Sequence, residues 1–129
     1  MVAALSVTAF LCGCAAPELP DRADPEVQAE EARLAEVIGA DPGVLGVRGN
    51  CSVRLLRQVE ETAFVWAHCE GGAPVNTGVS APMRVVGSAV IVPGDGTQYE
   101  RDIRAMFPED LIEIVLDGDE SLLPGPLRQ

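Results

Sequence analysis

The sequence predicts an α+β fold: an N-terminal helix, a four-stranded antiparallel meander sheet and a C-terminal helical hairpin. Three observations carry that prediction. The apolar periodicity changes from 3.6 to 2 after Asn50 and returns to 3.6 after Gly96. Helix-start signals stand on either side of the period-2 region. Within it, the spacing of Cys51 and Cys69 and the apolar pattern choose the same hairpin register independently.

The first helix starts at Asp24-Pro25-Glu26, with Asp as N-cap, Pro at the first helical position and an acid in the first turn. Val27, Leu34, Val37 and Ile38 form its apolar stripe, and Gly39 is its expected C-terminal cap. Ala40 to Asn50 reads as a Gly/Pro loop. Cys51–Gln58 and Thr62–Cys69, separated by Val59-Glu60-Glu61, read as a β-hairpin. Taking Glu60 as the tip sets Cys51 opposite Cys69, Val53 opposite Ala67 and Leu55 opposite Val65. Gly71–Gly78 is expected to be a loop.

Ser80–Val86 and Ala89–Val92 read as two further strands, joined at Gly87-Ser88. Pro82 has no N–H for a sheet ladder and so belongs at an edge or bulge. Thr97-Gln98-Tyr99-Glu100 matches a capping box. The helix it opens carries Tyr99, Ile103, Met106 and Phe107 on one face, with Glu100 and Arg104 paired at i,i+4. Pro108 separates it from a last helix with Leu111, Ile112, Val115 and Leu116 on its apolar face, stopped at Asp117-Gly118. These elements make one domain over residues 25–118, and a disordered tail is expected over 119–129.

Val2–Leu11 (VAALSVTAFL) is uncharged and about half the length of roughly 20 residues that a spanning helix needs. It has the length of a signal peptide's apolar region. No Lys or Arg precedes it, so a start upstream of Met1 is expected. Cleavage by ordinary signal peptidase near Cys14-Ala15-Ala16 would place Pro17 just after the cut. The other reading rests on Leu11-Cys12-Gly13-Cys14, which resembles the lipobox of bacterial lipoproteins: Leu, two small residues, then cysteine. Cys12 stands where that family more often carries Ala, Ser or Thr. The resemblance implies that residues 1–13 are removed and that Cys14 receives a diacylglyceryl group and becomes the mature N-terminus. Two acyl chains anchor firmly where one binds only marginally. Residues 14–24 then read as a lipidated tether, acidic and proline-punctuated, with Glu18, Asp21 and Asp24 against Arg22.

The net charge is −11, and all nine basic residues are arginine. Nucleic-acid recognition needs a basic surface, so that class is excluded, as is adsorption to anionic lipid by overall charge. In an exported chain the pair Cys51 and Cys69 is expected to form a disulfide. Two thiols and His68 do not make a zinc ligand set. His68 and Cys69 are strand neighbours pointing to opposite faces, which argues against a catalytic pair. No nucleophile-elbow, metalloprotease or phosphate-loop motif is present, and no metal or cofactor is expected. The acids Glu109, Asp110, Glu113, Asp117, Asp119 and Glu120 lack the alternating spacing of a calcium loop.

One hairpin face is apolar and mostly small. The other mixes Phe64 and Trp66 with Arg54 and His68, a composition enriched at protein-binding surfaces. Two readings of that second face stand: a partner-binding patch, or a second core layer beneath the first helix. At the level of function the expectation is a membrane-anchored lipoprotein. Its small acidic domain would be a non-enzymatic module binding an envelope protein or cell-wall component. The alternative is a small secreted enzyme or enzyme inhibitor.

Overall fold

A single sheet separates two apolar clusters, each roofed by helices from a different end of the chain. The computed structural model describes residues 17–72 and 77–125. Helix α1 spans Pro25–Ala40 and a short α2 spans Pro42–Leu45. Strands β1 (Asn50–Val59), β2 (Thr62–Glu70), β3 (Gly78–Val86) and β4 (Ala89–Ile91) form one antiparallel sheet in the order β1-β2-β3-β4. Helices α3 (Tyr99–Met106) and α4 (Glu109–Asp117) follow, with 3-10 turns at Gly96–Gln98 and Glu120–Leu122. The α+β meander is therefore the fold of this chain.

Asp24 caps α1 as expected, its Oδ1 accepting from the Glu26 N–H at 2.8 Å. Gly39 does not end the helix. It lies buried in the last turn, where a Cβ would stand 2.5 Å from the Gly49 carbonyl oxygen. The absent side chain lets the strand lead-in approach, and Gly49 N–H donates to the Gly39 carbonyl at 2.8 Å. Asp41 takes the C-cap position and also opens α2, accepting from Gly43 N–H at 2.8 Å. The stretch expected to be wholly loop thus contains a capped helical turn, closed by Gly46 at φ 82°.

The hairpin register holds from Cys51↔Cys69 to Leu55↔Val65 and then shifts by one at Leu56, so that Arg57 faces Phe64. The extra residue is a bulge. Alternation already sets Leu56, fully buried, on the side of Phe64 and Trp66, and the shift brings Arg57 to that side as well. Arg57 is freed to reach Asp110 on α4, with Nη2 2.8 Å from Oδ2. Glu60 sits at the tip with φ 54°, the left-handed conformation a tight turn requires. Strand β4 pairs only with Arg84–Val86, so Pro82 lies in a stretch of β3 whose outer edge has no strand partner among the described residues. That is the edge position its missing N–H demands.

Leu34 and Ile38 of α1 pack on Val53, Leu55, Val65 and Met83. On the opposite face, Ile103 of α3, Phe107 just after it, and Leu111 and Val115 of α4 pack on Leu56, Phe64 and Trp66. The capping box does not form: no side chain caps α3, and a 3-10 turn feeds its first residue. The Glu100–Arg104 pair is present at 2.8 Å, and Arg104 also reaches Glu113 at 3.2 Å. Gly118, at φ 67°, ends α4.

Two expectations at the ends of the domain are corrected. Residues 119–125 are not a disordered tail. Asp119 caps a turn through Ser121 N–H, and Leu122 is 1 % exposed within the second cluster. Burying that leucine offsets the entropy of ordering the turn. The tether expected over 14–24 is likewise bound to the domain, through Leu19 and Arg22. Leu19 packs against the second cluster, and Arg22 Nη2 donates to the Pro124 carbonyl at 3.3 Å. Cys14 and residues 126–129 lie outside the described residues.

Candidate functional site

Phe64 and Trp66 are each 8 % exposed. Phe64 lies against Phe107, with ring centroids 5.4 Å apart, and Trp66 Nε1–H donates to Ser80 Oγ at 3.0 Å. The aromatic half of the expected partner-binding patch is therefore core. The cover is supplied by α3 and α4, not by the first helix, which occupies the other face. The physical reason is that both faces of the sheet carry apolar rows, and the chain has amphipathic helices on both sides of it in sequence.

Arg54 and His68 share that second face but lie toward the disulfide end, where β1 and β2 pair Arg54 with Trp66 and Ser52 with His68. Both remain half-exposed. His68 Nε2 is 2.9 Å from Glu70 Oε2, two residues along the same strand face. Arg54 has no salt-bridge partner among the described residues, and its Nε is shut off from solvent with no hydrogen bond. Burial lowers the Arg54 pKa, and the charge of Arg22 lowers it further, while Glu31 acts in the opposite sense. The Glu31 carboxylate is occupied at the sheet edge, where Oε2 accepts from Leu55 N–H at 2.7 Å.

Cys51 and Cys69 form the expected disulfide across the register pair, with Cys69 fully buried in the first cluster. Beside the bridge, between the end of α1 and the end of the sheet, lies an open groove of about 360 Å³. Glu36, Arg48, Asn50 and Glu70 supply its polar lining, with Gly39 and Gly49 at its base. Arg48 and Glu36 are 3.4 Å apart with most of each side chain in solvent, so they add little stability. Among the described residues no three of His, Cys, Asp and Glu converge as they would around a metal ion. The arrangement offers charge and hydrogen-bond recognition at the disulfide end of the sheet.

Sequence reasoning singled out Arg54 and His68 but missed Arg22, Glu31 and the groove. Glu31 is brought to the edge of β1 by the packing of α1, and Arg22 to the Pro124 carbonyl by the packing of the lead-in, contacts between segments far apart in sequence. No spacing rule carries that signal. No helix among the described residues is long and apolar enough to cross a membrane. No family model, curated protein or solved structure matches the chain.

Proposed function

We propose that this chain is an exported lipoprotein, anchored through a diacylglyceryl group on Cys14, whose acidic domain is a non-enzymatic binding module of the cell envelope. The observation that carries the reading is Leu11-Cys12-Gly13-Cys14 closing a short uncharged run. The Cys51–Cys69 bridge supports it, because such bonds persist in oxidising compartments outside the cytoplasm. Five residue steps separate Cys14 from Leu19, which packs on the domain. At up to about 3.6 Å per residue, that leaves a span of at most about 18 Å. The anchored domain is held close to the headgroups, and its partner is an envelope protein or cell-wall component lying near that membrane.

Labelling cells with a fatty acid tests the anchor. The wild-type chain carries label and fractionates with membranes, and Cys14→Ala loses both. Label retained by Cys14→Ala rules the assignment out.

A further inference from the structure

The two outer edges of the sheet are finished differently. On β1, Leu55 N–H turns away from β2 and donates to Glu31 Oε2 at 2.7 Å. Leu55↔Val65 is therefore a pair that exchanges no backbone hydrogen bonds. Cys51↔Cys69, with Cα atoms 4.0 Å apart, has the short spacing of the same type. The two types alternate along an antiparallel pair, and a residue turned from one neighbour faces the other. Val65, Ala67 and Cys69 thus direct their backbone groups to β3, where they meet Met83, Ala81 and Val79. Gly78, Ser80, Pro82 and Arg84 direct theirs outward. Arg84 meets Ile91 of β4, and Pro82, buried and without an N–H, ends the paired stretch.

Gly78 and Ser80 remain. Both are exposed, and no strand among the described residues takes up their outward N–H and carbonyl groups. Beside them lies a pocket of about 280 Å³ lined by His68, Glu70, Gly71, Thr77 and Gly78. Glu70 and Gly78 are register partners, on the sheet face that also carries His68 and Ser80. A Cβ on Gly78 would stand 3.9 Å from Glu70 Cγ, so the glycine leaves a gap in that row. A strand added at this edge would lie two strand spacings, roughly 10 Å, from β2. Arg and Lys carry their charge on stems of three or four methylenes and reach across such a gap. Glu70 is more than half exposed, and its ion-pair partner among the described residues is His68, not an arginine. The chain's 20 acidic residues against nine basic ones favour a cationic partner.

We propose that the outer edge of β3 at Gly78 and Ser80 is a strand-addition site for an extended polypeptide bearing an arginine or lysine, whose cation crosses Gly78 to Glu70. The proposal rests on reading the domain as a binding module and names its partner by chemistry. Backbone hydrogen bonds at Gly78 and Ser80 hold an extended segment, and the Glu70 pocket selects a basic side chain opposite Gly78. The residue opposite Val79 falls on the other face, where Val79 and Ala81 pack at the rim of the first cluster, and suits a valine.

The test titrates the ¹⁵N-labelled, oxidised full chain with the peptide acetyl-Val-Thr-Val-Arg-Thr-amide. Run antiparallel to β3, it sets its first threonine opposite Ser80 and its arginine opposite Gly78. The Gly78 and Ser80 backbone N–H resonances shift saturably. Methylating the amide nitrogens of that threonine and the arginine, which donate to β3, removes binding. Replacing the peptide's arginine with glutamine weakens it about tenfold, the scale of one charge-assisted hydrogen bond. Glu70→Gln abolishes the difference between the two peptides, and Glu61→Gln, exposed at the far end of the hairpin, preserves it. Gly78→Val closes the gap, its Cβ meeting nothing nearer than 3.5 Å, and lowers affinity for the arginine peptide. Glu70→Gln alters an exposed side chain and keeps the test valid should Gly78→Val fail to fold. None of these readouts involves Cys14, so failure here and failure of the fatty-acid label are seen separately. Gly78 and Ser80 signals unmoved by peptide, equal affinity of the wild type for both peptides, or signals that move with chain concentration alone, as a second copy on the edge would cause, overturn the proposal.

Discussion

Trp66 is 8 % exposed and its indole N–H donates to Ser80 Oγ, so truncating it removes both a large apolar contact and a hydrogen bond. Trp66→Ala is expected to cost about 3–5 kcal/mol, read from urea unfolding. As the sole tryptophan, it should emit at blue-shifted wavelengths and resist acrylamide quenching in the native protein. A second residue-scale effect lies at the surface. The hydrogen bond from Arg57 lowers the pKa of Asp110, and the opposing effect of burial is smaller. A depressed carboxylate stabilises the fold above its unfolded value, near about 3.9, and that stability is lost as pH falls through the lower folded value. With Asp110 54 % exposed, solvent screening keeps the contribution under about 1 kcal/mol. Asp110→Asn should therefore melt slightly below wild type at neutral pH, and the gap should close once the carboxyl is protonated in both states.

At the scale of elements, the hairpin is the most constrained unit. Its register is set twice over, by the apolar alternation and by the Cys51–Cys69 bridge, which spans 18 residues. Closing a loop of that size stabilises by about 3 kcal/mol on a chain-entropy argument. Replacing both cysteines with serine should lower the unfolding free energy by about that amount in denaturant titrations, and wild type in a strong reductant should approach the double variant. The bulge at Leu56 does a separate task. Leu55 feeds the first cluster and Leu56 the second by ordinary alternation, and the bulge then breaks that alternation so that Arg57 shares the second face with Leu56 and reaches Asp110. Together with Glu31, which satisfies the Leu55 N–H, it also leaves the outer edge of β1 a poor template for pairing with another chain.

At the scale of the molecule, a central sheet needs cover on both faces, and the C-terminal segment completes the second one. Leu122 is 1 % exposed there, beyond the last α-helix. A chain ending at Gly118 should lose about 2–5 kcal/mol, as other buried leucine truncations do, and Leu122→Ala should reproduce most of the loss. Thermal unfolding would measure it, and increased binding of a hydrophobic dye would mark the opened cluster. The same convergence of chain ends ties Arg22 to the Pro124 carbonyl and holds the lead-in at Leu19 against the body of the domain.

Elements governed by local chemistry were legible in the sequence. Asp24-Pro25 starts α1, Pro108 separates α3 from α4, and the Cys51–Cys69 spacing matches the hairpin because pairing between adjacent strands follows from turn position. Gly39 was misread. Its role is set by the Gly49 backbone passing over it, ten residues away, and not by its place at the end of an apolar stripe. The Thr97 capping box was outweighed by a 3-10 entry into α3, and its Glu100 pairs with Arg104 instead. Phe64 and Trp66 show the larger limit. Alternation puts them on one sheet face, yet whether that face meets solvent depends on which helices return to it. That depends on chain path, and so on the summed burial of residues far apart, which no local pattern contains.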